Sequence, residues 1–149
     1  MAQAVIKGGK KFEAEINRIL KAVSKPGALK VGFLGGAKYP DGTSVAMVAA
    51  IQNFGAPSRN IPPRPFFSNM VREKQKEWGP ALAKLLKQHN YDTHKALSIL
   101  GEGIAGQLRQ SIINTNRPAL APATIARKGS AKPLVDSGLM LRSISYEVK

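Results

Sequence analysis

The 149-residue chain contains no cysteine. That excludes a disulfide scaffold, a thiolate zinc site, an iron–sulfur cluster and a cysteine nucleophile. Acidic residues are scarce, nine against 23 Lys and Arg, for a formal charge of +14. So few carboxylates are hard to assemble into acid–base pairs, and Glu13 with Glu15, and Glu73 with Glu77, read as solvated helix faces beside Lys or Arg. The two histidines, His89 and His94, are five apart, the wrong interval for two ligands on one helical face, so no metal site is expected. Aromatics make up 6%, and they fall mostly on predicted core faces, whereas a stacking platform for single-stranded nucleic acid needs them interleaved and exposed. Long apolar runs are missing too: the longest is Val45 to Ile51, seven residues, against about 20 for a membrane-spanning helix. Met1 to Ile6, followed by Lys7, is too short for a secretory signal. The expectation is a protein made and kept in a cytoplasm-like compartment, without membrane contact.

Catalytic patterns are absent as well. Gly32, Gly35 and Gly36 follow a predicted strand, but their spacing is not that of a dinucleotide or phosphate loop, and they read as a glycine-rich turn. No nucleophile elbow and no Ser-x-x-Lys occurs. No catalytic residue, cofactor or metal ligand is assigned, and an enzyme is the least expected class.

What is present suits one domain with an ordinary core: 43% of residues are hydrophobic and 21% charged, close to globular averages. The positive charge is spread along the chain with a modest peak in residues 1–30, so it favours encounter with any polyanion without choosing one. Residues 7–11 read as a flexible basic lead-in. Phe12, Ile16, Ile19, Leu20 and Val23 then make one face of an amphipathic helix, ended by Lys25-Pro26-Gly27. Leu29 to Leu34 alternates as a strand, and Thr43 or Ser44 can cap a helix running to Phe54. Ala56 to Pro65 holds four of the ten prolines and is expected to be irregular, with Ile61 to Pro65 extended and stiff. A helical stripe from Phe66 to Leu86 contains Gly79-Pro80, which predicts a kink or a break. Asp92 or Thr93 can cap the next helix, where Gly101, Gly103 and Gly106 suggest close packing, within the monomer or between subunits. Pro122 to Lys128 predicts a short helical turn, 129–133 a loop, 137–143 one or two helical turns, and Ile144, Tyr146 and Val148 a closing strand. The fold class is α+β: several amphipathic helices packed on a small, mainly antiparallel sheet. Residues 1–28 form a basic segment with a helix, and 29–149 a single domain.

Two stretches are unusually particular. One is Val48 to Pro57 with the sequence Val-Ala-Ala-Ile-Gln-Asn-Phe-Gly-Ala-Pro, running into Asn60-Ile61-Pro62-Pro63-Arg64-Pro65-Phe66-Phe67. The other is Leu120 to Gly129, running into Lys132-Pro133-Leu134-Val135-Asp136-Ser137-Gly138-Leu139-Met140-Leu141-Arg142-Ser143-Ile144. Together they resemble small virion morphogenesis proteins of tailed bacteriophages and prophages, the neck, tail-completion and minor-tail group. There a helix ending in Phe-Gly leads into Ile-Pro-x-Arg-Pro-Phe and a long helix, and a Pro-Leu-x-Asp-Ser/Thr-Gly-x-Leu-x-x-Ser-Ile element precedes a closing strand. The resemblance covers most of residues 29–149.

It implies a non-enzymatic virion protein at the head–tail junction (neck, tail completion or tail terminator), assembled in the host bacterial cytoplasm. Its partners would be copies of itself in a ring, neighbouring neck, terminator, tube or connector proteins, and nonspecifically the passing DNA. The candidate assembly interface is Phe54, Arg59, Ile61, Pro62, Pro63, Arg64, Pro65, Phe66 and Phe67, because a stiff loop docks with little entropy loss and Arg and Phe anchor interfaces. Phe66 and Phe67 can equally begin the core stripe of the next helix. On the interface reading, Arg64→Ala with Phe66→Ala leaves a folded protein that fails to enter particles. Gly55, Thr124, Leu134, Asp136, Ser137, Gly138, Leu141, Ser143 and Ile144 are the structural residues of the motifs, with fold maintenance as their plain alternative. Two other functions compete: a sequence-nonspecific nucleic-acid-binding protein, resting on charge alone, and a transient tail-assembly factor.

Overall fold

The computed structural model describes residues 8–25, 27–120, 122–128 and 138–149. In chain order these form α1 (Gly9–Val23), β1 (Leu29–Gly32), α2 (Val45–Phe54), a 3-10 turn at Pro57–Arg59, α3 (Phe66–Gln88), α4 (Thr93–Asn114), α5 (Pro122–Lys128), α6 (Leu139–Arg142) and β2 (Ser145–Val148). This is an α+β fold, mostly helical with a two-stranded antiparallel sheet.

Local chemistry sets most boundaries. The Ser44 hydroxyl accepts the Met47 N–H at 3.4 Å and starts α2, and the Asp92 carboxylate accepts the Lys95 N–H at 3.0 Å and starts α4. Both satisfy donors that a helix start leaves unpaired. Asn90 and Tyr91, with φ of 52° and 61°, reverse the chain between α3 and α4. Gly32 at φ 152° ends β1 two residues earlier than the alternation predicts.

Three sequence expectations change. Residues 9–11 belong to α1 rather than to a flexible lead-in, since the helix starts directly after Gly8 at φ 99°. Of the kink or break expected at Gly79-Pro80, the break does not occur: the stripe from Phe66 is one helix of 23 residues with Pro80 inside it. The hydrogen bond that proline removes falls where Lys76, Gly79 and Pro80 are exposed, so water can serve the freed carbonyl. The segment after Ala56 is also partly regular: Ala56 and Ile61 pair as a β-bridge through bonds of 2.8 and 3.1 Å around the 3-10 turn.

The long antiparallel pair α3 and α4 is the frame. Ala105, Leu108 and Ile112 of α4 join Phe66 and Met70 of α3, Val45 and Ala49 of α2, and Met140 and Ile144 in one buried cluster. Phe33 meets Phe66 edge to face at 6.5 Å, a favoured aromatic geometry. Trp78 donates to Gln107 at 2.9 Å and Ser111 to the Phe66 carbonyl at 2.7 Å, tying the two helices at separate levels.

The sheet lies across α4. Strand β1 pairs with β2 in the register Leu29↔Val148, Lys30↔Glu147, Val31↔Tyr146 and Gly32↔Ser145. Ala28 and Lys149 extend the ladder with two bonds of 2.9 Å. A Cβ on Gly101 would lie 2.8 Å from both Leu29 Cδ1 and Tyr146 Cδ2, so glycine is what lets the strands approach α4. Gly103 and Gly106 are exposed with nothing near a built Cβ, so within the chain the close packing falls on Gly101.

Candidate assembly site

The first motif folds into a latch between the end of α2 and the start of α3. Pro65, the residue before α3, has no side chain able to cap it. Asn53, in the last turn of α2 and 4% exposed, does so from a distance. Its Oδ1 accepts the N–H groups of Phe67 and Ser68 at 3.0 and 3.1 Å, while its Nδ2 donates to the Ser68 hydroxyl at 2.8 Å. One amide thereby caps a helix 14 residues further on. The Phe66 N–H bonds to the Arg64 carbonyl at 2.7 Å across Pro65, whose φ of −77° and ψ of 55° make an inverse γ-turn.

Arg64 is the second bolt. It is 5% exposed and donates from Nε to the Pro118 carbonyl at 2.9 Å, from Nη1 to Gln52 Oε1 at 3.2 Å and from Nη2 to the Ala119 carbonyl at 3.5 Å. Its own N–H donates to the Gln52 carbonyl at 2.7 Å. Burial lowers its pKa from the ordinary arginine value, and neutral oxygens placed around a planar fork of donors hold the charge. Gly55 completes the latch. At φ 77° its Cβ would meet Pro63 N at 2.8 Å and the Ile61 carbonyl at 2.9 Å, so both conformation and space demand glycine.

The nine candidate interface residues therefore divide. Arg64 and Phe66, which is 1% exposed, are interior and leave the interface set. The expectation that their double replacement preserves the fold is overturned, because it would unlock the latch and open the core together. Ile61, Pro65 and Phe67 are half-buried. Phe54, Arg59, Pro62 and Pro63 remain exposed. Phe54 is the most accessible of the large apolar side chains described, at 75%.

The described part of the second motif lies in α5, α6 and the turn before β2. Thr124 is half-buried on α5. Gly138 precedes α6 at φ 76°, Leu141 is half-buried on α6, and Ser143 donates to the Leu139 carbonyl at 2.7 Å. Ile144 is 3% exposed and its carbonyl accepts from Arg109 at 3.1 Å. Leu134, Asp136 and Ser137, and the loop expected over 129–133, lie outside the described residues.

Sequence reasoning passed over Asn53 and Gln52 as contributors. Their only signal was their place immediately before Phe-Gly, in a helix otherwise free of polar side chains. It marked the apolar face of α1 and Phe54 at the end of α2, but not that both helices leave apolar surface uncovered. Helix α2 carries no charged residue, yet only Val45, Ala49 and Asn53 are buried, while Ala46, Met47, Ala50 and Phe54 face solvent. Ala46, Ala50 and Phe54 also border a shallow cleft of about 250 Å³ that reaches in to Phe33 and Phe66. Helix α1 buries no residue and exposes Phe12, Ile16, Leu20 and Val23 by 70, 40, 58 and 42%.

A third feature is a basic cleft of about 560 Å³ where α1 meets the α3–α4 turn, bordered by Arg18, Lys21, Lys25, His94 and Lys149, with Asp92 as its acid. Arg18 donates to Glu15 at 2.6 and 3.0 Å; that hydrogen bond lowers the Glu15 pKa and raises that of Arg18. Among the described residues no three His, Asp or Glu converge on a common metal position, and no helix is long and apolar enough to cross a membrane. Comparisons with protein-family models, curated proteins and solved structures return no match to this chain.

Proposed function

We propose that this protein is a non-enzymatic structural component of a tailed-phage virion. It would act at the head–tail junction by self-association and by contact with neighbouring neck or tail proteins. One observation carries the assembly part of the reading. The latch of Asn53, Gly55 and Arg64 braces a proline loop next to α2, and that helix holds Phe54 and Met47 in water with no charge to solvate it. Apolar surface of this kind, rimmed by polar residues, is the mark of an interaction face. The virion setting rests on the resemblance of both motifs to phage neck and tail-completion proteins.

The test is deletion of the gene in its phage or prophage, followed by negative-stain electron microscopy of the lysate. Filled heads beside unattached tails, or tails of runaway length, are the expected result. Normal infectious particles would overturn the reading. Mass spectrometry of purified virions separates a resident component from a transient assembly factor, which would be absent from them.

The basic cleft favours a second reading, nonspecific nucleic-acid binding. It requires DNA affinity whose logarithm falls with log salt by about 0.9 per phosphate contacted. Absence of binding near physiological salt removes it.

A further inference from the structure

The basic cleft of about 560 Å³ has α1 as one wall, the α3–α4 turn as another and the end of β2 as a third. Two hydrogen bonds join the first two walls: Arg18 donates to the Asn90 carbonyl at 3.4 Å, and the Thr93 hydroxyl to the Ala22 carbonyl at 3.3 Å. Floor and rim differ in chemistry. At the floor Leu97 is 7% exposed, and Ala22 and Val148 are half-buried. The rim carries Arg18, Lys21, Lys25 and Lys149, all exposed. Arg18 is paired with Glu15 at 2.6 Å, and Lys149 stands 3.9 Å from Glu147. Lys21 and Lys25 enter no ion pair among the described residues. Asp92, the acid bordering the cleft, already turns its carboxylate to the Lys95 N–H at 3.0 Å. Two cations thus stand over an apolar floor without a counter-charge.

We infer that this cleft receives a short acidic and apolar peptide segment of another protein. An apolar side chain of the segment sits on Leu97 and Val148, and its carboxylates face Lys21 and Lys25. Charge complementarity selects the partner. A second copy is unsuitable, because the chain carries +14. Even α1, which holds Glu13 and Glu15, is net basic through Lys10, Lys11, Arg18 and Lys21.

The floor then chooses among polyanions. A nucleic-acid backbone would satisfy the lysines but bring nothing apolar to Leu97 and Val148. Single strands bind by stacking on successive aromatics, and of the Phe, Trp and Tyr residues described only Tyr91 borders the cleft. A peptide carries both chemistries in one segment. The volume lies within the range of about 300–1,000 Å³ usual for ligand pockets, which admits a few side chains rather than the face of a domain. The inference rests on the contacts with neighbouring proteins in the proposed function, and gives one of them a place and a chemistry.

The probe is a fluorescein-labelled peptide of about eight residues alternating Glu and Leu, titrated with the full chain at about 150 mM salt and followed by anisotropy. Two comparison ligands carry the same charge: the peptide with Ser in place of Leu, and a single-stranded oligonucleotide. The rim variant is Lys21→Glu with Lys25→Glu. The control, Lys38→Glu with Arg59→Glu, makes the same change of charge beside α2. All four side chains are exposed, so circular dichroism should show both variants folded. The Glu–Leu peptide should bind at least about tenfold more tightly than its Ser counterpart, the effect of burying one Leu side chain. The rim variant should lose about tenfold or more, and the control should stay within about threefold of wild type, since its charges lie beyond the screening length. Deuterium exchange needs no variant: the bound peptide bridges α1 to the turn, so it should slow the amides of 18–23 and leave those of α2 unchanged. Four results would overturn the contact: no binding up to about 1 mM, a Ser peptide that binds as tightly, equal losses in rim and control variants, or no protection of α1. An oligonucleotide that displaces the peptide and is itself lost in the rim variant would assign the cleft to nucleic acid instead. Gene deletion reports separately: freed heads with an unbound peptide sink this contact alone, and normal particles with a bound peptide sink only the virion role.

Discussion

Asn53 stands at the end of one helix and satisfies the beginning of another, a job normally done by the residue directly before the helix. Removing its amide should leave the Phe67 and Ser68 N–H groups without their acceptor, and Asn53→Ala should lower stability by about 1–3 kcal/mol. Arg64→Ala should lower it by about 2–4 kcal/mol, because the Pro118 and Ala119 carbonyls and the Gln52 amide lose their donor together. Urea unfolding of both variants checks the pair, and stability within 0.5 kcal/mol of wild type, about the scatter of surface substitutions, would deny the latch. Neither role was legible in the sequence. The acceptors of Arg64 lie 54 and 55 residues away, and an arginine among prolines otherwise belongs at a surface. Gly55 was legible as a helix terminus. That Pro63 presses on it was not, since only the folded loop brings them together.

At the scale of elements, periodic patterns carried well. The apolar spacing on α3 and α4, the caps to within one residue (Thr43 or Ser44, Asp92 or Thr93) and the closing strand were all readable, because each depends on residues within a few positions of one another. Strand pairing was not, since β1 and β2 stand near opposite ends of the described chain and nothing local names the partner. The glycines of α4 separate the two kinds of information. All three weaken the helix intrinsically, but only Gly101 has Leu29 and Tyr146 where a side chain would go. Gly103→Ala and Gly106→Ala should each stabilise the protein by up to about 1 kcal/mol. Gly101→Ala should instead destabilise it by about 1–3 kcal/mol by lifting the sheet. Thermal melts of the three variants decide this, and equal shifts at all three positions would mean that the sheet does not rest on α4.

For the molecule as a whole, stability should be graded from α4 outward to α1. Helix α4 contributes Ala105, Leu108 and Ile112 to the core, whereas α1 buries nothing. In dilute solution the α1 amides should exchange with deuterium on the order of 100-fold or more faster than those of 104–112. Equal protection in the monomer would show that α1 is held by more than its two bonds to the α3–α4 turn. The sheet distributes load in its own way. Because Ala28 and Lys149 form the last rung of an antiparallel ladder, a pull between those two residues bears on one rung at a time. It opens like a zip, and Gly32↔Ser145 parts last. A tug along α3 meets a whole helix braced by its neighbour. The molecule is thus a stiff strut with a weak clasp, and single-molecule stretching from residues 28 and 149 would find the clasp first.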